Sequence, residues 1–160
     1  MTTVKDSRVL ITGAASGIGK LLAQRLAESG ARLVLWDIDR QGLDQAKAEL
    51  ADAGYSAETY CCDLNDQQEI NRVAAQTLSD GGAVDILINN AGIVSGKSLL
   101  ELSDAEIERT FNVNTLALFW TVRAFLPSML EQDRGHVVTI ASAASLAGAP
   151  KLTDYSAVSY

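Results

Sequence analysis

Short apolar runs alternate with longer segments of helical periodicity along the chain. The apolar runs predict β-strands at Arg8–Thr12, Arg32–Trp36, Ala57–Cys61, Val84–Ile88 and His136–Ala141. Helical segments lie between them, at residues 17–29, 39–53 and 65–79, with a long one from 103 past 125 and a last one beginning near 154. Such alternation is typical of a parallel sheet with right-handed crossovers and helices on both faces. The pattern therefore predicts an α/β protein with a doubly wound parallel sheet as the middle of three layers.

Apolar faces and capping residues define the predicted helices more precisely. The first helix has apolar residues on one face, which we expect to pack against the sheet: Ile18, Leu21, Leu22 and Leu26. Asp39 is the predicted cap of the second helix. Asn65 and Ser103 are each followed three residues later by Gln or Glu, and this capping-box spacing predicts that helices begin there.

Composition limits the classes of partner. A chain of 160 residues, 48% hydrophobic and 21% charged, has the size and balance of one globular domain. Its net charge of −7 argues against nucleic acid or an anionic membrane, because both bind clustered Lys and Arg. No apolar run approaches the ~20 residues that cross a bilayer, and residues 1–8 lack a secretory signal's apolar core. We expect a cytoplasmic protein without a membrane anchor.

The metal-ligating residue types are sparse. Cys61 and Cys62 are adjacent, and His136 is the single histidine. A disulfide between adjacent cysteines would not stabilise a fold, and the spacing of these residues provides no metal-ligand set. We interpret both cysteines as the end of a buried strand and predict no metal site.

A glycine-rich turn joins the first strand to the first helix. Its glycines follow the spacing Gly13-x-x-x-Gly17-x-Gly19. Glycines permit a tight turn and let backbone N–H groups approach a pyrophosphate, to which the helix N-terminus adds a partial positive charge. The turn therefore predicts a dinucleotide site that includes Ser16 and Ile18, although a glycine-rich connection can also be only a turn.

Asp37 ends the second strand and is the candidate ligand of the adenosine ribose. A carboxylate there accepts hydrogen bonds from both ribose hydroxyls and repels a 2′-phosphate. Neighbouring Ile38, a predicted cofactor contact, supplies no positive charge, so we expect NAD rather than NADP. Lys20 and Arg40 are close enough in sequence to leave NADP open, and Asp37 could instead merely begin a turn.

Further motifs make the chain resemble a known family, the short-chain dehydrogenase/reductases. The resemblance rests on Thr12–Gly19, Asp63-Leu64, Asn89–Gly92, Asn112–Asn114, Ser142 and Tyr155. Segments 33–38, 125–129 and 135–144 are similar to the branch of retinol and hydroxysteroid dehydrogenases. The resemblance implies a single NAD(P)-binding Rossmann-type domain over 1–160. It also implies an NAD-dependent oxidoreductase that interconverts a hydrophobic secondary alcohol and a ketone or aldehyde.

The resemblance also implies contacts for the rest of the cofactor. Asp63, with neighbouring Leu64, would bond the adenine amino group. Asn90, Ala91 and Gly92 would shape the floor under the adenine ribose. Asp63, Asn89 and Ser142 directly follow predicted strands, and ligands of parallel sheets bind at those strand ends.

The catalytic residues implied by the resemblance are Asn114, Ser142 and Tyr155. Asn114 would hold a water in a proton relay, Ser142 would bind the substrate oxygen, and Tyr155 would be the acid/base. Residue chemistry leaves alternatives open. Asn114 lies on an apolar helix face, where it could be a satisfied core asparagine that braces the next strand, and Ser142 could be only a strand-end hydroxyl.

The last residues depart from the family pattern. The family has a lysine four residues after the tyrosine, where this chain has Ser159. The chain also stops at residue 160, so we expect the fold to be incomplete at its C-terminus. Two alternatives to the enzyme therefore stay open: a nucleotide-binding remnant without turnover, and a scaffold that dimerises through the long helix. The intact family form is expected to be a homodimer or homotetramer.

Overall fold

The computed structural model describes residues 3–158 and contains a parallel sheet of five strands. The strands are β1 (Arg8–Thr12), β2 (Arg32–Asp37), β3 (Ala57–Cys61), β4 (Ile86–Asn89) and β5 (His136–Thr139). Their order across the sheet is β3-β2-β1-β4-β5, and every neighbouring pair is parallel. Strand order therefore reverses between β1 and β4, and such a switch point leaves a crevice at the carboxyl ends of the strands.

Helices connect the strands. They are α1 (Gly17–Glu28), α2 (Arg40–Asp52), α3 (Gln67–Gly81), α4 (Asp104–Phe111), α5 (Ala117–Glu131) and α6 (Thr153–Val158). A π-helical turn, Asn112–Leu116, joins α4 to α5, and single 3-10 turns occupy Leu99–Glu101 and Ala143–Ser145. The predicted α/β class and doubly wound parallel sheet are confirmed.

Two hydrophobic cores lie on the two faces of the sheet. On one face, Val9 and Ile11 of β1 pack with α1 and α2 residues such as Leu43. On the other, Leu10 of the same strand packs with α3 and α5 residues such as Phe125. Alternate residues of one strand thus enter opposite cores, which is why the strands are almost continuously apolar.

Helix α1 packs only in part through its predicted face, of which Leu22 and Leu26 contact the core. Ile18 and Leu21 are 61% and 53% exposed, whereas the buried positions of this helix are Gly19, Ala23 and Ala27. Small side chains bring the α1 backbone close to the sheet, and this close approach turns Ile18 towards the mouth of the crevice.

The other helix predictions have mixed outcomes. Asp39 caps α2 by accepting a hydrogen bond from Gly42 N–H, and the Ser103 capping box opens α4, both as predicted. The predicted cap of α3 is wrong, because Asp66 rather than Asn65 accepts from the first-turn N–H groups. The predicted long helix is divided by the π-helical turn Asn112–Leu116.

Buried charges at the amino ends of the strands are paired. The Arg8 side chain is 1% exposed and forms an ion pair with Glu58, while its guanidinium also donates to the carbonyls of Thr77 and Gly82. Buried Asp85 accepts from Arg8 N–H at 2.8 Å. These charges complete a structural network on the edge opposite the crevice.

The helical stretch Asp104–Glu131 is long and apolar enough, by length and composition alone, to cross a membrane. The sequence-based expectation that no segment approaches this length considered only unbroken apolar runs. Core helices of soluble domains pass the same test, and Phe125 and Met129 of α5 are buried in the core described above.

Candidate cofactor and active site

A cleft of about 680 Å³ opens at the carboxyl ends of the strands, a volume within the range of small-molecule sites. Nearly all the residues predicted for the site line it. They are Gly13, Ser16, Gly17, Ile18, Asp37, Ile38, Asp63, Leu64, Asn90, Ala91, Gly92, Asn114, Ser142 and Tyr155. Residues separated by more than half of the chain thus meet in one cavity.

The glycine turn forms one wall of this cleft. Gly13 and Gly17 have φ angles of 66° and 53°, which favour glycine. Ser16 precedes α1, and its side chain makes no capping hydrogen bond there. A side chain built on Gly17 would meet nothing within 4 Å, so open space lies beside the first turn of α1. Backbone N–H groups in a first turn lack intrahelical partners, and this wall therefore fits a pyrophosphate.

Gly19 is the one predicted cofactor residue that does not line the cleft. It is buried beneath the turn, where a Cβ would lie 2.1 Å from the Gly13 carbonyl oxygen and 2.6 Å from Asn90 Nδ2. A direct contact between this residue and a cofactor stays a prediction. A glycine is required at position 19 because the backbone of α1 packs directly on the turn there.

The Asp37 carboxylate is fixed beside the glycine turn. Oδ2 accepts a hydrogen bond from Ala15 N–H at 2.9 Å, and Oδ1 accepts from Asp39 N–H at 3.0 Å. An ionised carboxylate has about four lone-pair sites, so both oxygens keep capacity for ribose hydroxyls. Asp37 can thus both stabilise the turn and bind the ribose.

Asn90 holds the glycine turn in place from β4. Its Nδ2 donates to the Thr12 carbonyl at 2.9 Å and to the Gly13 carbonyl at 3.2 Å. The Thr12 hydroxyl in turn accepts from the backbone N–H groups of Asn90 and Ala91, each at 3.0 Å. These bonds join β1 to β4 at the switch point and fix the floor of the cleft.

The wall after β3 contains Asp63 and Cys62. Asp63 Oδ1 accepts from Asn65 N–H at 2.9 Å, and Asn65 Oδ1 accepts from Asn112 Nδ2 at 3.1 Å. Burial raises the pKa of the Cys62 thiol to about 12, so it is a neutral, non-nucleophilic part of the lining at neutral pH. This chain of contacts ties the predicted adenine end of the cleft to the start of the π-helical turn.

Asn114 lies in the π-helical turn and is 8% exposed. Its Oδ1 accepts from Ile93 N–H at 2.9 Å, and its Nδ2 donates to the Ile93 carbonyl at 2.8 Å. The amide therefore braces the loop after β4, as the satisfied-amide alternative describes. Its participation in a proton relay stays a prediction.

Ser142 and Tyr155 line the opposite part of the cleft. Ser142 Oγ accepts from Ala144 N–H at 3.2 Å, which leaves its own hydrogen for another acceptor. Tyr155, in α6, is half-buried. Ser159, where the resemblance places a lysine, lies outside the described residues.

Other lining residues were not among the predicted site residues, although Asn89 and Val113 belong to motifs that carried the resemblance. They are Cys62, Asn89, Ile93, Val94, Arg109, Val113, Leu118, Thr139, Ile140, Ala141, Leu152 and Val158. Several directly follow β3, β4 or β5, so the strand-end rule could have found them. Arg109 carried no such signal, because only the path of α4 brings it to the cleft. Among the described residues, no group of three His, Cys, Asp or Glu is arranged to hold a metal ion.

Known proteins share these features. A sequence profile of the family described as short chain dehydrogenase matches residues 7–158. The chain is 47% identical over 150 residues to epidermal retinol dehydrogenase 2 of Homo sapiens, covering 93% of this chain and 48% of that protein. It is 42% identical over 153 residues to estradiol 17-beta-dehydrogenase 11 of Homo sapiens, covering 96% and 51%. The chain spans about half the length of the curated relatives it matches.

Solved structures of short-chain dehydrogenase/reductases have a fold similar to that of this chain. A short-chain dehydrogenase/reductase from Burkholderia phymatum, in complex with NAD, superimposes with a TM-score of 0.93 at 33% identity, covering 99% of this chain and 57% of that chain. A metagenomic short-chain oxidoreductase in complex with NADP gives 0.91 at 33% identity, covering 99% and 72%. Profile, relatives and structures thus agree with the glycine turn and its cleft: the chain belongs to the short-chain dehydrogenase/reductase family.

Proposed function

We propose that this chain binds NAD in the cleft and forms the cofactor half of an oxidoreductase. The reaction is the interconversion of a hydrophobic secondary alcohol and a ketone or aldehyde. The observation that carries the proposal is a single cleft lined by Gly13, Asp37, Ser142 and Tyr155. A dinucleotide lying across the switch point would have its pyrophosphate at the glycine turn and its reactive end near Ser142 and Tyr155.

The choice of NAD over NADP rests on charge beside Asp37. Lys20, in the first turn of α1 after the glycine turn, pairs with Glu49 at 2.7 Å and lowers the pKa of that carboxyl. The positive charge of Lys20 is therefore engaged in an ion pair that links α1 to α2. A 2′-phosphate would meet the Asp37 carboxylate, with exposed Arg40 as the remaining cation nearby in sequence.

Replacing Asp37 with alanine is expected to weaken NADH binding about tenfold and to leave NADPH binding unchanged or tighter. The variant loses an acceptor for ribose hydroxyls and also a charge that repels the 2′-phosphate. Titration of NADH and NADPH fluorescence with the purified chain measures both affinities. Asp39→Asn is the matched control, because asparagine caps a helix as well as aspartate and residue 39 does not line the cleft. Equal loss for both cofactors would contradict the assignment of Asp37.

The proton-transfer residues act on the substrate oxygen. Bound nicotinamide supplies the hydride acceptor or donor at the carbon that bears this oxygen. Because Ser142 Oγ already accepts from Ala144 N–H, its hydrogen is free to be donated to the substrate oxygen. Tyr155 then takes the hydroxyl proton during oxidation or returns it during reduction. Asn114 keeps the loop at Ile93 in place beside them.

An apolar substrate fits the remaining lining. Apart from the residues assigned to the cofactor, the aliphatic side chains that line the cleft are Ile93, Val94, Val113, Leu118, Ile140, Leu152 and Val158. The two human relatives carry the names of a retinol and an estradiol dehydrogenase, both of which act on alcohols with large apolar skeletons. A retinol- or steroid-like alcohol is the class we propose.

We further propose that two copies pair through α5 in the cytoplasm. Leu116, Phe119, Leu126 and Leu130 lie on one face of the helical stretch and are 41%, 63%, 39% and 70% exposed. Apolar faces of this kind mark interfaces when they are contiguous. The alternative scaffold function and the homo-oligomer of the enzyme would both use this face.

The substitution Phe119→Glu is expected to convert a dimer into a monomer, because it places a charge in the apolar interface. Sedimentation velocity of the purified chain measures the change. Leu146→Glu, at a loop position that is 83% exposed, is the control and should leave the dimer intact. A monomeric parent chain would contradict the pairing. Recovery of the chain in carbonate-washed membranes would contradict the cytoplasmic placement.

A further inference from the structure

A buried carboxylate lies next to the proposed acid/base. Asp154 is 4% exposed and directly precedes Tyr155 in α6. Its Oδ1 accepts from the Ser95 hydroxyl at 3.0 Å, and its Oδ2 accepts from the Thr110 hydroxyl at 3.0 Å. Aspartate is rarely buried to this extent unless it is paired, and here both carboxylate oxygens accept hydrogen bonds from neutral hydroxyls.

The two hydroxyls belong to different parts of the structure. Ser95 lies in the loop after β4, two residues beyond the backbone that Asn114 holds at Ile93. Thr110 lies in the last turn of α4, directly before the π-helical turn. Asp154 therefore joins three segments, the loop, α4 and α6, each of which contributes residues to the cleft.

Helix α6 needs such an anchor. The segment before it is largely exposed, and Lys151 has a φ angle of 63°. Tertiary contacts must therefore fix the helix, and hydrogen bonds to a charged acceptor are among the stronger ones available.

We propose that Asp154 is a positioning residue that holds Tyr155 in the cleft by fixing α6 against α4 and the loop after β4. Adjacent helix residues point about 100° apart, so one side chain can face α4 while the next lines the cleft. Asp154 is absent from the cleft lining, and Tyr155 is present. The assignment rests on the proposed function of Tyr155 as the acid/base.

The test compares Asp154→Leu, which removes both acceptors, with Asp154→Asn, which keeps one carbonyl acceptor. Assayed in the full 160-residue chain with NAD and a hydrophobic secondary alcohol, Asp154→Leu should lower kcat about tenfold, because a misplaced acid/base is a weaker one. The KM for NAD should stay within about twofold, since residue 154 lies outside the cleft lining. Asp154→Asn should recover most of kcat.

Amide hydrogen exchange gives a readout that needs no turnover. Ser156 N–H donates to the Leu152 carbonyl within the first turn of α6, and its exchange should accelerate about tenfold in Asp154→Leu. Where Asp154→Leu does not fold, Thr110→Val removes one donor at nearly constant volume, and Thr110→Ser keeps it. The valine variant should accelerate Ser156 exchange, and the serine variant should not.

The outcomes separate this inference from the function on which it rests. Unchanged Ser156 exchange in Asp154→Leu overturns the inference, whether or not the chain turns over. A fall in kcat that is matched by an equal rise in the KM for NAD also overturns it, because a general structural defect would do the same. Turnover that survives Tyr155→Phe overturns the proposed acid/base instead, even if Asp154 is shown to fix α6.

Discussion

A Tyr155→Phe variant is expected to lose about a thousandfold in kcat for alcohol oxidation while it binds NADH as tightly as the parent chain. Phenylalanine keeps the ring that lines the cleft and removes only the hydroxyl that exchanges the substrate's proton. Ser142 can still bind the substrate oxygen, so the loss should appear in kcat rather than in affinity. NADH production from a panel of secondary alcohols measures the rate, and NADH fluorescence measures binding.

Tyr60 provides the matched control. Its hydroxyl lies between two carboxylates, 3.1 Å from Glu58 Oε2 and 2.9 Å from Asp80 Oδ2. Tyr60 does not line the cleft. Tyr60→Phe should therefore keep its turnover, although it loses a hydrogen bond. Equal activity of Tyr155→Phe and the parent chain would refute the assignment.

The parent chain itself discriminates between the enzyme and the nucleotide-binding remnant. Ser159 supplies no positive charge where the family pattern has a lysine, and the chain spans about half of its curated relatives. NADH binding without turnover would favour the remnant. Turnover gained by Ser159→Lys in a chain extended with the relatives' C-terminal region would show that the cleft described above is chemically competent.

The strands could be predicted from sequence because their signal is local. Arg8–Thr12 has the predicted bounds, since a strand buried on both faces reads as a largely apolar run. Ala57–Cys61 also has the predicted bounds, although this strand contains polar residues and is mostly half-buried. Helix caps were less certain where two cap formers are adjacent. Asn65 and Asp66 both suit an N-cap, and the choice of Asp66 depends on Asn112 engaging the Asn65 amide from another helix.

Residues whose role depends on distant contacts could not be predicted from periodicity. The π-helical turn at Asn112–Leu116 interrupts a helix pattern that continues on both sides, and Asn114 clamps the Ile93 backbone there. Asp154 reads as an ordinary first-turn residue of α6, yet its partners lie 59 and 44 positions earlier in the chain. Motifs therefore predicted most residues of the cleft, while the contacts that hold these residues in place became visible only in the fold.

Gly19 shows how packing changes the interpretation of a motif, and Gly19→Ala is expected to weaken NADH binding about a hundredfold. The new Cβ would lie 2.1 Å from the Gly13 carbonyl oxygen, closer than any real contact. Neither neighbour is the end of a flexible side chain, because Gly13 is backbone and Asn90 Nδ2 is bonded to the carbonyls of the same turn. The turn must therefore move away from α1, and a displacement of about 1 Å at such a site costs on the order of a hundredfold.

Gly54→Ala is the control that separates close packing from the general cost of replacing a glycine. Gly54 follows α2 with a φ angle of 86°, and an added Cβ would meet nothing within 4 Å. Alanine there should cost about 1 kcal/mol of stability through backbone strain and leave NADH binding unchanged. Circular dichroism must show that both variants keep their helices. If folded Gly19→Ala binds NADH as the parent does, the turn tolerates the displacement, and the third glycine is not what shapes the pyrophosphate site.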